Sequence, residues 1–405
     1  MVLLVLWVLR IVFESCLSMT KETTNTRSID DANVGLLPIG LEDQLPPDAE
    51  REAAVLENIM RMLGEEGFDR VKPPLLEFEQ TLLATAPAKL RRRSFRVVDP
   101  LSRETLVLRS DMTGQVARMA ATRLSAVSRP LRLSYGGQVV RVSGSDLRPE
   151  RQFTQVGAEI IGLADHEKVA AVVEVASLAL KGIARAGIGH TVVDLVVPGL
   201  VERICQTYQH DLDDDLLAAI AARDPQMVAA HACGKCVKEL EALMTAAGPW
   251  RDSLRRLESL MGQADIELIT QVAQTIEARH PGVEITLDPA ETRGFDYHEG
   301  IGFVFFAPSV RGELGRGGAY TAENTETGAG FTLYLDSLVR ALGPQKPAEY
   351  VFLPSAMADD LDRILTSGRR VRHQLGLATD DVGLRQEAKR MNCVSIWDGN
   401  QAVKL

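Results

Sequence analysis

The sequence predicts an α+β protein: an antiparallel sheet flanked by helices, with a helical insertion and a small C-terminal α/β unit. Three observations carry this. Strand-like apolar runs come in neighbouring pairs, as in LRLSYGGQVVRV followed closely by RQFTQVGAEIIG, and strands joined by a short loop pair antiparallel. No G-x-G-x-x-G follows a strand and no P-loop motif occurs, so the nucleotide-binding βαβ folds are excluded. Between strand-like segments, residues 199–280 read as almost continuous amphipathic helix, the pattern of an inserted subdomain.

Each element has its own signal. Two prolines open a helix from about Asp48, where Leu56, Ile59, Met60 and Leu63 recur at helical spacing. GFDRVKPPLLEFEQ, with Pro73 and Pro74, reads as extended, and SFRVVDPLSRETLVLRSD as two strands around a proline turn. Met112 to Leu124 is helical, and the two long runs above form a hairpin. Asp165 is expected to cap a helix that ends near Gly187. HTVVDLVVPG is a buried strand, and strands return at VEITLDP, YHEGIGFVFFAP and GELGRGGAYT. A glycine-rich turn is expected to lead into a final helix, Gly330 to Leu342. Residues 35–342 thus form one domain, and 348–405 a small second one, with a strand at EYVFLP, a helix from Ala358 to Leu375 and a strand at CVSIWDG.

The chain has 405 residues, enough for two or three domains, and a net charge of −10. An acidic chain with only 11 Phe, 6 Tyr and 3 Trp is a poor nucleic-acid binder, which needs basic surface and stacking platforms. Five cysteines suggest a reducing compartment. The apolar run Val2 to Phe13 is shorter than the about 20 residues of a membrane span. No basic residue precedes it and Arg10 interrupts it, unlike a secretory signal. Residues 1–34 therefore read as a disordered or mis-called extension, with Met19 as the expected start.

Several polar residues fall inside or beside apolar strands. Arg109, Asp111 and Thr113 follow one strand, and the hairpin carries Arg141, Gln155 and Glu159. With a strand period of two, Gln155, Gly157 and Glu159 share a face, and Gly157 leaves a hole between an amide and a carboxylate. ETRGFDYHEG adds Arg293, Asp296, Tyr297 and His298. Such a set suits an amino-acid ligand: arginine grips its carboxylate, and carboxylates hold its ammonium and any basic side chain. Singly, each of these arginines could be a structural ion pair, and Glu159 its counter-charge.

These segments resemble the catalytic domain of class II aminoacyl-tRNA synthetases, specifically histidyl-tRNA synthetase. Pro74 in KPPLLE resembles the motif 1 proline, and LRSDMT the RPEGT segment. GGQVVRVSGSDLRPERQFTQVGAE resembles motif 2, RGFDYH the histidine-specific RGLDYY signature, GRGGAYT the GGRYD turn, and GAGFTLYLDSL motif 3. The resemblance implies a histidine pocket of Asp111, Thr113, Arg141, Gln155, Glu159, Arg293, Tyr297 and His298.

The departures matter as much. The motif 3 glycine is Tyr334 and its phosphate-clamping arginine is Ser337. The motif 2 glutamate that reads adenine is Ser143, and the GGRYD arginine and aspartate are Ala319 and Thr321. Removing one such clamp costs factors of about a hundred to a thousand in rate, so adenylation is not expected. The tail is shorter than an anticodon-binding domain. A histidine pocket without an ATP site resembles the regulatory-subunit family of ATP phosphoribosyltransferase. That resemblance implies a non-catalytic, cytoplasmic chain acting in the first step of histidine biosynthesis. It implies partnership with a short-form catalytic subunit, a dimer within a hetero-octamer, histidine as feedback ligand, and no cofactor, metal, membrane or nucleic acid. The alternatives are an active histidyl-tRNA synthetase-like enzyme and a stand-alone histidine sensor. HACGKC (Cys233, Cys236) has metal-site spacing but lacks a second ligand pair, so it reads as structural thiols. Arg91–Arg93 reads as a solvated loop.

Overall fold

The structure, a computed structural model, describes residues 36–83, 91–92, 94–144, 148–232, 234–292, 298–321 and 326–405. Met19 and residues 1–34 lie outside them, as do Arg93, Cys233, Arg293, Asp296 and Tyr297. The described residues 36–41 belong to a unit of their own, in which the Leu41 N–H closes a turn on the Pro38 carbonyl.

In the unit from Glu42 onward, twelve strands precede the tail among the described residues: β1 (Asp69–Arg70), β2 (Leu76–Phe78), β3 (Arg96–Val98), β4 (Thr105–Leu108), β5 (Leu131–Val140), β6 (Gln152–Ile161), β7 (Val192–Val196), β8 (Gly248–Pro249), β9 (Glu284–Asp288), β10 (His298–Phe306), β11 (Gly315–Thr321) and β12 (Thr327–Tyr334). Nine form one sheet in the order β1-β5-β6-β12-β11-β10-β7-β9-β8, and β2-β4-β3 form a small second sheet. Pairing is antiparallel except for β1 with β5 and β7 with β9. Hydrophobic residues that alternate along these strands point to one face. There Val156, Ala158, Ile160, Phe331, Leu333, Phe303, Phe305 and Leu195 pack against the helices Asp48–Glu65 and Lys168–Ala186. Among the described residues the insertion comprises six helices, Leu200–Thr207 to Gln263–Arg279, and its Leu216, Leu243, Val272 and Ile276 join the same core.

The opposite face carries the polar positions, and register arrays them in rows. Gly302, Gly318, Gly330 and Glu159 are consecutive cross-strand partners across β10, β11, β12 and β6. The next row is Val304, Arg316, Thr332, Gly157 and Tyr135. A polar groove floored by glycine thus crosses the middle of the sheet.

Three expectations are corrected. The final helix spans only Leu335–Ala341, and the preceding Thr327–Tyr334 is the central strand β12. Asp165 does not cap the helix: it lies in a 3-10 turn and pairs with Lys168, while the helix runs from Lys168 to Ala186 and ends at Gly187 with φ +102°. In the tail, the helix expected from Ala358 to Leu375 covers only Leu361–Thr366, and a longer helix, Asp381–Arg390, lies further along. Gly368, with φ +75°, ends the first, and β14 (Arg370–His373) follows. β14 pairs with β13 (Tyr350–Leu353) in a four-stranded sheet completed by β15 (Ser395–Trp397) and β16 (Ala402–Lys404).

Candidate functional site

At the groove, Glu159 is buried and its Oε1 accepts hydrogen bonds from the Thr113 and Tyr135 hydroxyls, both at 3.0 Å. Tyr135 also meets the Thr332 hydroxyl at 2.7 Å. Gln155 is sealed at the other end: its Nε2 donates to Asp111 Oδ2 at 3.0 Å, and its Oε1 accepts from the Met112 N–H at 3.2 Å. Asp111 Oδ1 accepts from the Thr113 N–H at 2.9 Å, which holds the start of the helix Thr113–Thr122 against the pocket. Four of the expected residues, Asp111, Thr113, Gln155 and Glu159, are therefore brought into one network.

Arg141 is half-buried elsewhere. Its Nε donates to the Ser110 carbonyl at 3.2 Å and its guanidinium stands 4.9 Å from the Phe153 ring centre. Arg109 is buried and spends its donors on the Gln138 and Pro73 carbonyls, at 2.7 and 3.0 Å, in a structural role. His298 opens β10 with its backbone paired to Tyr320. Arg293, Asp296 and Tyr297 lie outside the described residues.

The hole expected over Gly157 is not open. A Cβ there would come within 2.6 Å of the Tyr135 hydroxyl, so the tyrosine fills the space between Gln155 and Glu159. Sequence reading missed Tyr135, although the hairpin register sets it directly opposite Gly157. It also missed Tyr320 and Gly330. A Cβ on Gly330 would overlap the Glu159 carboxylate at 1.7 Å, so glycine is required for the carboxylate to lie where it does. Burial pushes Glu159 up to about 8, against hydroxyl donation from Tyr320, Tyr135 and Thr113 that lowers it. Burial likewise raises Tyr135 and Tyr320 well above the usual phenol range, with the Glu159 charge second. Farther along this face burial pushes Asp194 up to about 6, its carboxylate accepting from Thr286.

Beside Gln155, at Tyr334, the chemistry changes. Tyr334 is buried and edge-on to Phe153, with ring centres 5.8 Å apart. The Arg148 guanidinium stands 3.7 Å from the Tyr334 ring centre and 3.9 Å from that of Phe153. It also makes a two-pronged ion pair with Asp336, at 3.2 and 2.5 Å. Ser337 is buried, and its hydroxyl accepts from Arg340, which also pairs with Glu150 and Asp336. The positions where the resemblance expects a phosphate clamp are thus filled by the protein's own side chains.

Among the described residues, no three His, Cys, Asp or Glu side chains converge on a possible metal position. The Cys236 sulfur instead lies 3.9 Å from that of Cys205, both buried. Arg91 and Arg92 are exposed. No helix among the described residues is long and apolar enough to cross a membrane.

The sheet order and the groove network define the class. The family model for histidyl-tRNA synthetase matches residues 40–338. A histidyl-tRNA synthetase from a Nostoc species superposes with a TM-score of 0.69 at 16% identity, covering 89% of this chain and 90% of that one. An ATP phosphoribosyltransferase regulatory subunit/histidyl-tRNA synthetase from Bacillus halodurans gives 0.75 at 22% identity, covering 90% and 98%. At these identities the likeness shows the fold, that of a class II synthetase. The chain belongs to the ATP phosphoribosyltransferase regulatory subunit family. It is 44% identical to the member from Paramagnetospirillum magneticum over 80% of this chain and 86% of that one. It is 39% identical to the member from Rhodospirillum centenum over 92% and 97%.

Proposed function

We propose that this chain is a non-catalytic, cytoplasmic subunit that switches on a short-form ATP phosphoribosyltransferase and relays histidine feedback to it, binding histidine in the groove of Asp111, Thr113, Gln155 and Glu159. In this reading it associates with itself as a dimer within a hetero-octamer, and Arg141, Arg293, Tyr297 and His298 complete the pocket. One observation carries it. The amino-acid network is built and sealed, whereas the adjoining nucleotide position is occupied by Arg148, stacked on Tyr334 and Phe153 and paired with Asp336. An adenylating enzyme needs that space for ATP; a sensor does not. Glu159 and Asp111 supply acceptors for the ligand's nitrogen groups, and buried hydroxyls fix the carboxylate that reads them.

The test uses purified protein. Calorimetry is expected to register histidine binding, and histidine-dependent pyrophosphate exchange should stay at background. The chain should co-purify with a short-form catalytic subunit and raise its turnover. Exchange above background would return the chain to the synthetase reading, and failure to stimulate the catalytic subunit would leave a sensor of another kind.

A further inference from the structure

Arg148 stands outside the amino-acid network, yet its side chain is only 9% exposed. Its hydrogen bonds go to Asp336, in a two-pronged pair at 3.2 and 2.5 Å. Its guanidinium also lies 3.7 Å from the Tyr334 ring centre and 3.9 Å from that of Phe153. A planar fork seated on two rings and on a carboxylate is restricted to one orientation. Charge is balanced locally, Arg148 and Arg340 against Asp336 and Glu150. Buried pairs of this kind add little net stability over an apolar replacement, so what Arg148 contributes is a fixed arrangement. The two rings lead into the groove. Phe153 and Gln155 are alternate residues of β6 and share a face, and Tyr334 is the cross-strand partner of Gln155 on β12. Tyr334 and Phe153 pack in one apolar cluster with Met112, Val116 and Tyr135. Met112 gives its N–H to Gln155, and Tyr135 gives its hydroxyl to Glu159. The Phe153 ring also meets the Arg141 guanidinium, at 4.9 Å. Packed and bonded groups thus run without a break from Arg148 to both ends of the network.

We propose that Arg148 is a positioning residue for the amino-acid groove. The side chain that fills the nucleotide position also holds Tyr334 and Phe153, and through them it fixes Gln155 and the start of the helix Thr113–Thr122. This deepens the histidine-sensor reading above and rests on it for the identity of the ligand. With Arg148 in place the groove is ordered before a ligand arrives, so binding does not have to supply the ordering cost. Without the guanidinium the two rings gain other rotamers, Gln155 loses its fixed neighbours, and that cost falls on the ligand. Lysine is no substitute, because a compact ammonium offers neither the fork nor the stacking plane. Arg148 acts here through other side chains and touches no ligand.

The experiment compares the full chain with Arg148→Met and Arg148→Lys. Methionine keeps an apolar stem against the rings, and Asp336 keeps Arg340 as its partner, so the fold should survive. The first readout is amide hydrogen exchange without ligand. The Met112 and Thr113 amides, bonded to Gln155 and Asp111, should exchange faster in both variants. Amides of the helix Lys168–Ala186 should keep the wild-type rate, which a general loss of stability would not allow. Unchanged exchange at Met112 and Thr113, or faster exchange everywhere, overturns the proposal. The second readout is histidine affinity by calorimetry. Both variants should bind about threefold to thirtyfold more weakly than the wild type. Wild-type affinity in both overturns the proposal and leaves the sensor reading standing. A wild-type chain that binds no histidine overturns the sensor reading, and the exchange rates then decide the positioning role by themselves.

Discussion

Glu159 shows at the scale of one residue how a ligand site strains the fold that carries it. Its carboxyl is held near pH 8 in the native state, above the value of about 4.3 for an exposed glutamate. Between those values the native chain keeps a proton that the unfolded chain has released. Stability is therefore fully present below about pH 4 and is lost progressively as pH rises towards 8. Glu159→Gln removes the titration. Thermal melts of the ligand-free proteins should show the variant gaining on the wild type from pH 5 to pH 8, by an amount on the order of a few kcal/mol. A difference that stays flat over this range would mean that the carboxyl is solvated. Glu159 itself was legible in the sequence, because a carboxylate inside a strand-like run is unusual. Tyr135 and Gly330 were not, since their roles depend on which residue lies across the strand, and register follows from pairings that a single run does not reveal.

Among the elements, β12 and the helix after it were the hardest to read. GAGFTLY is apolar without a break, and such a run does not separate strand from helix by period. Tertiary position decided it: the strand's glycines admit the Glu159 carboxylate and the Tyr320 ring, which helical backbone would not. The small tail reads poorly for a related reason, because one glycine, Gly368, converts an expected helix into a helix and a strand. The junction of β12 and its helix also sets what repair of the nucleotide site requires. Replacing Tyr334 by Gly and Ser337 by Arg restores the motif residues but leaves Arg148 on Asp336. The new arginine would have to leave a buried position beside Arg340. Calorimetry on this double variant should show ATP binding no tighter than wild type. Adding Arg148→Ala should open the space and give measurable binding. Adenylation should remain absent in both, because Ser143, Ala319 and Thr321 still lack the missing groups and such groups act as a unit. ATP binding by the double variant alone would show that Arg148 is no obstacle.

For the whole molecule, the sheet's two faces divide the work. One is packed beneath the long helices and the insertion, and its side chains are apolar. The other bears the groove, and its polar rows are bonded chiefly to one another. A change confined to the groove should thus spare the bulk of the core, so ligand sensing and partner activation are separable by mutation. Glu159→Ala is the sharp case. It removes an acceptor shared by the Thr113 and Tyr135 hydroxyls, which keep each other at 3.2 Å and, for Tyr135, the Thr332 hydroxyl at 2.7 Å, so the loss is of one buried acceptor, about 1–3 kcal/mol in all. It touches none of the apolar side chains beneath the sheet. In the assembled complex, turnover of the catalytic subunit should be measured with this variant and with Arg293→Ala, with and without histidine. Histidine inhibition is expected to fall by tenfold or more, which corresponds to about 1.4 kcal/mol of lost binding. Stimulation of the catalytic subunit should fall by much less. Comparison with Glu159→Gln, which keeps an acceptor for both hydroxyls, separates loss of the ligand contact from local collapse: both substitutions should abolish inhibition, and the alanine alone should lower the melting temperature sharply. Unchanged histidine sensitivity in Glu159→Ala and Arg293→Ala would place the inhibitory site away from this groove, and an equal loss of inhibition and stimulation would mean that the groove supports the interface as well as the ligand.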